Sequence, residues 1–177
     1  FFFHNIFALV SNRLAAGTAG SIFPAEQKYG IAIFGGKLQD PFSENNTCYA
    51  VFEFINGISL KTYLANSSGG LAWEQVKELF PPILTTLSLV HSAGIIHRGI
   101  SPQTIFVTDK MELKLAGFCI SAARTTNTEI ACEIFSGYAA PEQYSNEING
   151  TWTDVYGISA VLYKVLTGAA SMEAIAR

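Results

Sequence analysis

Charge is scarce in this chain. Only 14% of its 177 residues are charged, 11 Lys and Arg against 14 Asp and Glu, for a net charge of -3. No basic face or tail stands out, so neither nucleic acid nor an anionic membrane surface is an expected partner. Long apolar runs are missing as well: none reaches the ~18 residues of a membrane helix, and no membrane contact is expected from this segment. Cysteine is limited to Cys48, Cys119 and Cys132. An odd number without CxxC or Cys/His spacing gives no zinc pattern and points to plain thiols in a reducing compartment. The sequons at Asn45, Asn66 and Asn149 are too short a pattern to outweigh that. The glycines carry no phosphate-loop signal, because no Lys-Ser/Thr pair follows them. The opening "FFFHNIFALV" lacks a basic n-region and a cleavage site, so it does not read as a signal peptide. It reads as a helix entered midway, and "ASMEAIAR" ends the chain without a helix stop signal. A piece of a longer, cytoplasmic protein, or of the cytosolic part of a membrane-tethered one, is the expectation.

What the chain does have is core material: 49% hydrophobic residues, with 13 Phe. Ile6, Leu9, Val10 and Leu14 stand at helical spacing and predict a helix over the first fifteen or so residues. "YGIAIFGG" and "TCYAVFEFI" read as two strands joined by the polar "KLQDPFSENN", and Asn56-Gly57 closes the second with turn chemistry. "SLKTYLAN" reads as a short helix capped by Ser59. From Ala72, the positions Val76, Leu79, Phe80, Ile83, Leu84, Leu87 and Val90 form the stripe of a core-facing helix that stops at Ala93-Gly94. Pro81-Pro82 inside it predicts a kink or a split. "TIFVT" and "LKLAGF" form a hairpin around "DKME", and the Thr-rich stretch from Ser121 to Ser136 is a surface loop. "VYGISAVLYKVLTG" reads as a buried helix ended by Gly168.

Four strings, in this order, resemble the eukaryotic-like Ser/Thr protein kinases, bacterial ones especially. "HRGISPQTI" is similar to the catalytic loop HRDxxPxN, "KLAGFC" to the segment ending in DFG, "GYAAPEQY" to the APE region, and "WTDVYGISAVLYKVLTG" to the helix after it. The resemblance implies an α+β, protein-kinase-like fold with a partial small lobe and a mainly helical large lobe. Residues 1–55 would be a remnant of the small lobe, a helix and two strands. Residues 56–177 would be the large lobe, truncated after the long buried helix.

The same resemblance divides the site residues. Those implied to hold the fold are present: His97 and Arg98 bracing the loop, Phe118 packing in the core, Pro141, Glu142, and Asp154 hydrogen-bonded to the loop backbone. Those that do chemistry are replaced. Phosphoryl transfer needs Mg²⁺ held against the phosphates and a carboxylate that orients the hydroxyl nucleophile. The implied base position is Gly99, and the two metal-ligand positions are Thr104 and Gly117, while Ser101 stands where many members carry Lys. A Thr hydroxyl is a weaker ligand than a carboxylate for a hard cation. No cofactor is therefore expected. Asp109 more simply serves the hairpin turn, and His91 the negative end of its helix.

The implied function is a pseudokinase, a regulatory or scaffolding module that binds protein partners, an active kinase or its substrates among them. One alternative is an active Ser/Thr kinase using ATP and Mg²⁺ through other carboxylates such as Asp109 or Glu112. A second is an inert nucleotide-binding module with its hinge at Glu53, Phe54 and Ile55. Arg98 implies a further option, a phosphate-controlled switch at Thr125, Thr126 or Thr128, against the plainer reading of a solvated loop. Glu142 has as its implied partner an Arg beyond Arg177.

Overall fold

The computed structural model describes residues 6–9, 42–44, 47–51, 55–67, 69–117, 134–145 and 148–176. Two three-stranded antiparallel sheets and three α-helices make up the regular structure among them. The first sheet has the order β1-β3-β2, with β1 at Ile6–Leu9, β2 at Phe42–Glu44 and β3 at Thr47–Val51. Ile6 pairs with Val51 and Glu44 with Thr47.

This corrects two expectations. The chain start carries a strand where a helix was expected: in so apolar a run, four positions at helical spacing cannot separate the two periods, and pairing with a distant strand decides. The supposed connector "KLQDPFSENN" itself holds β2, which folds back onto β3. The expected strand "YGIAIFGG" lies outside the described residues, as do Glu53 and Phe54 of the hinge. Ile55 is described and half-buried.

The second sheet, in the order β4-β5-β6, joins Gly57–Ser59 to the hairpin Ile105–Thr108 and Leu113–Leu115. Gly57 opens a strand here rather than only a turn. A Cβ on it would lie 2.3 Å from the Val107 carbonyl oxygen, so the two backbones can approach this closely only at glycine.

Helix α1, Leu60–Asn66, starts where the Ser59 hydroxyl accepts the Thr62 N–H at 3.2 Å, and it buries Leu60 and Leu64 on one face. Helix α2, Trp73–Ser92, buries Val76, Phe80, Ile83, Leu87 and Val90, whereas Leu84 faces out. It runs unbroken through Pro81-Pro82, so the expected split does not occur. The carbonyls left without N–H donors belong to Lys77 and Glu78 on the exposed face, where water can serve them. Helix α3, Thr151–Thr167, buries Gly157, Ile158, Ala160, Val161 and Val165 and ends at Gly168, whose φ of 75° suits a residue without a Cβ. The faces of α1, α2 and α3 and the inner side of the hairpin share one core, in which Ile105, Leu115, Val90 and Val161 are almost fully enclosed. The loop between α2 and β5 is thereby pinned between two helices and a sheet.

Candidate active site

That loop starts from Gly94, whose φ is 77°, and turns sharply at Arg98, a non-glycine residue at φ 60°. Left-handed backbone at such a residue persists only where the surroundings enforce it. Here the enforcing group is Asp154, buried in the first turn of α3. Its Oδ2 accepts the His97 N–H at 2.7 Å and lies 2.8 Å from His91 Nε2, while its Oδ1 accepts the Arg98 N–H at 2.7 Å. The buried carboxylate is matched by three donors and by the positive end of its own helix. His91 thus turns to Asp154, across the core, rather than to the last carbonyls of α2.

His97 is fully buried, and its ring is committed at both nitrogens. Nε2 lies 2.9 Å from the Ala116 carbonyl oxygen, and Nδ1 takes the Gly99 N–H at 3.1 Å. A backbone N–H only donates and a carbonyl only accepts, so the ring proton sits on Nε2 and the Nδ1 lone pair is occupied. No lone pair is left to take a proton from a substrate.

Beyond Gly99, the loop closes on itself. The Thr104 hydroxyl donates to the Gly99 carbonyl at 2.8 Å and accepts the Ser101 N–H at 3.0 Å. The buried Ser101 Oγ accepts the Gln103 N–H at 3.2 Å, and the Pro102 carbonyl accepts the Lys61 N–H from α1 at 2.8 Å. Gly99 is buried, and the cavity beside it, about 10 Å³, holds no more than a single water.

Gly117 faces this loop from the end of β6 at φ 91°. A Cβ there would stand 3.0 Å from Thr104 Cγ2 and 3.9 Å from His97 Cε1. Positions 104 and 117 therefore fit each other as threonine and glycine.

These residues do not fit a magnesium ion. Gly99 and Gly117 offer no side-chain oxygen, and the Thr104 hydroxyl is consumed by the loop. The described residues contain no cluster of three or more His, Cys, Asp or Glu able to hold a metal. Asp109 Oδ2 instead accepts from the Asn56 amide at 3.1 Å at the hairpin turn, and Glu112 pairs with Lys114 at 3.6 Å.

The turn Pro141–Gln143 adds contacts that reasoning on single motifs missed. Gln143 donates to the Arg98 carbonyl at 2.7 Å and accepts the Ala140 N–H at 2.9 Å, tying this turn to the loop. Glu142, whose implied partner is an Arg beyond Arg177, accepts the Thr153 hydroxyl at 2.6 Å, and Thr153 Oγ1 in turn accepts the Gly150 N–H at 3.1 Å. Gln143 sat within the quoted string "GYAAPEQY", but no local pattern marks a side chain whose partner lies 45 residues away. Phe118, Thr125, Thr126 and Thr128 lie outside the described residues.

The protein kinase domain model matches residues 36–176. The chain is 32% identical over 123 residues to a probable serine/threonine-protein kinase PknB of Lactococcus lactis, covering 68% of this chain and 20% of that protein. It is 31% identical over 124 residues to the serine/threonine-protein kinase PknL of Mycobacterium tuberculosis, 68% of this chain and 31% of that one. With PrkC of Bacillus subtilis the figures are 27% over 134 residues, 74% and 20%. The chain thus spans a fifth to a third of the length of these relatives. Among solved structures, the apo form of PpkA-294 superposes with a TM-score of 0.68 at 24% identity, over 93% of this chain and 62% of that one, a likeness of fold. The backbone and the sequence lead to one conclusion: this chain belongs to the protein kinase domain family, among the relatives of the bacterial serine/threonine kinases.

Proposed function

We propose that this chain is a catalytically inactive protein-kinase-like domain, a regulatory or scaffolding module that works through its surface on protein partners. The observation that carries the reading is the pairing of Thr104 with Gly117. A kinase needs oxygen ligands for a metal at these two positions. Here one hydroxyl is spent within the loop, and the other position has neither a side chain nor room for one without strain. The buried Gly99 supports the same reading, since it leaves no carboxylate beside a hydroxyl nucleophile. Losing a positioned base alone costs roughly 10² to 10⁴ in rate. Losing the metal ligands as well removes the charge stabilisation on which phosphoryl transfer depends.

The test is a thermal-shift titration of the full-length protein with ATP, with and without Mg²⁺ or Mn²⁺, beside an assay of phosphate transfer to a generic protein substrate. A ligand that binds only the folded state raises Tm. The expected result is no metal-dependent shift and no transfer. A metal-dependent shift with transfer would replace this reading by an active kinase with an atypical metal site. A shift with ATP that ignores the metal would make it a nucleotide-binding but inert module. The Gly99→Asp, Thr104→Asn, Gly117→Asp triple variant, where it folds, is expected to gain the metal dependence that the native chain lacks.

A further inference from the structure

Two Asn-Gly pairs occur in the chain, Asn56-Gly57 and Asn149-Gly150. Such a pair is chemically labile, because glycine has no Cβ to shield its amide nitrogen from the asparagine side-chain carbonyl just before it. The fold presents the two pairs in opposite ways. Asn149-Gly150 is closed: Gly150 is buried, its N–H donates to Thr153 Oγ1 at 3.1 Å, and Asn149 Oδ1 is buried as well.

Asn56-Gly57 is open. Asn56 is exposed just ahead of β4, and its carbonyl takes the Asp109 N–H only at 3.4 Å, so this end of the strand is weakly held. That bond makes 56 and 109 a bonded position of the antiparallel ladder. At the next position, Gly57 opposite Thr108, the amides point away from the partner strand. Because β4 is the edge of its sheet, the Gly57 N–H faces outward and carries no ladder bond. The Asn56 side chain is held at the surface by one bond, from Nδ2 to Asp109 Oδ2 at 3.1 Å. Nor does the fold accept a residue that would shield the nitrogen, since a Cβ at 57 would lie 2.3 Å from the Val107 carbonyl oxygen.

We infer that Asn56 is a site of spontaneous covalent modification, deamidation to aspartate and isoaspartate. The Gly57 nitrogen gives its proton to a base from solvent and attacks Asn56 Cγ, forming the C–N bond of a cyclic imide. The bond from Cγ to Nδ2 breaks, and the amide nitrogen leaves as ammonia with a proton returned to it. Water then opens the imide at either carbonyl. One opening gives aspartate, and the other gives isoaspartate, in which the main chain runs through Cβ and Cγ. No oxidant or reductant takes part. Either product sets a carboxylate against Asp109 in place of the amide that donated to it, and like charges at this distance repel. Isoaspartate also inserts an extra backbone atom ahead of Gly57, where the close approach to Val107 fixes the register of β4. The modification thus loosens the edge strand that leads into α1, whether or not the domain transfers phosphate.

The experiment incubates the full-length protein at mildly alkaline pH and follows its proteolytic peptides by mass spectrometry over time. The Asn56 peptide is expected to gain the mass difference of an oxygen replacing NH and to separate into aspartyl and isoaspartyl forms, while the Asn149 peptide stays unchanged. In urea, where the fold no longer shields either pair, the two should convert alike. Asp109→Ala should hasten conversion of Asn56 about fivefold, the effect of losing one hydrogen bond of ordinary net strength. The Tm of the native protein should fall as isoaspartate accumulates, and that of Asn56→Gln, whose longer side chain closes the ring poorly, should hold. An Asn56 that keeps its amide, equal conversion of Asn149 in the folded protein, a difference that persists in urea, an unchanged rate in Asp109→Ala, or a fall in Tm that Asn56→Gln shares would overturn the inference.

Discussion

The loop from His97 to Thr104 and the residue that faces it, Gly117, keep their shapes by opposite means. The loop is held by what side chains do: Asp154 of α3 takes two of its backbone N–H groups, His97 spans Gly99 and Ala116, and Thr104 closes the turn. Position 117 is held by what is missing, because its φ of 91° and the Thr104 methyl leave little place for a Cβ. A loop wired this densely keeps its form without any ligand. A position that depends on glycine carries no carboxylate, so the loop keeps its shape without one facing it from 117.

The largest effect that could break this comparison belongs to Asp154→Asn. The substitution keeps the volume but sets an amide NH₂ among three donors and removes the charge that satisfied them. Leaving buried donors unmatched in this way should cost about 3 kcal/mol or more, read as the shift in urea midpoint at constant m. A cost below about 1 kcal/mol, no more than an ordinary surface substitution gives, would mean that something other than Asp154 holds Arg98 in its left-handed conformation.

How legible all this is in the sequence depends on the range of the interaction. The stripe of α2, the Ser59 cap, the hairpin and the Gly168 stop are local patterns, and each of them is in the fold. β1 and β2 escaped because strand pairing is decided by partners about forty residues apart or by a short turn inside a polar stretch. Pro81 and Pro82 misled because a proline's effect depends on which face it occupies, and these two face water. In the site, motif resemblance located the loop and both glycines. It could not show that the Thr104 hydroxyl is already engaged, nor that Gln143 and Thr153 tie the following turn to the loop and to α3, because those contacts join distant segments.

Gly117→Ala tests the other half of the comparison, with a smaller expected cost. A non-glycine residue held at this φ costs about 1–3 kcal/mol, and contact with the Thr104 methyl adds to it. Thr104→Ser removes that methyl and keeps the hydroxyl. The double variant should therefore be more stable than the sum of the two single changes predicts, by about 0.5 kcal/mol or more in a double-mutant cycle on urea unfolding. Strict additivity would mean that backbone strain alone excludes a side chain at 117 and that Thr104 has no part in it.

The smallest effect sharpens the comparison from the cover of the loop. Tyr138 borders the small cavity beside Gly99, and burial lifts its phenol above the ordinary value of 10.0. The folded state therefore holds this proton more tightly than the unfolded chain does. Its contribution is fully present below pH 10 and is lost as the pH rises through the higher folded value. Stability measured by urea unfolding should fall along this alkaline limb, and Tyr138→Phe should make the fall shallower while leaving the neutral-pH loop intact. An unchanged limb would mean that the phenol is solvated in the native state. A shallower limb places the phenol in packed surroundings in the folded chain, on a residue that borders the same small cavity as Gly99.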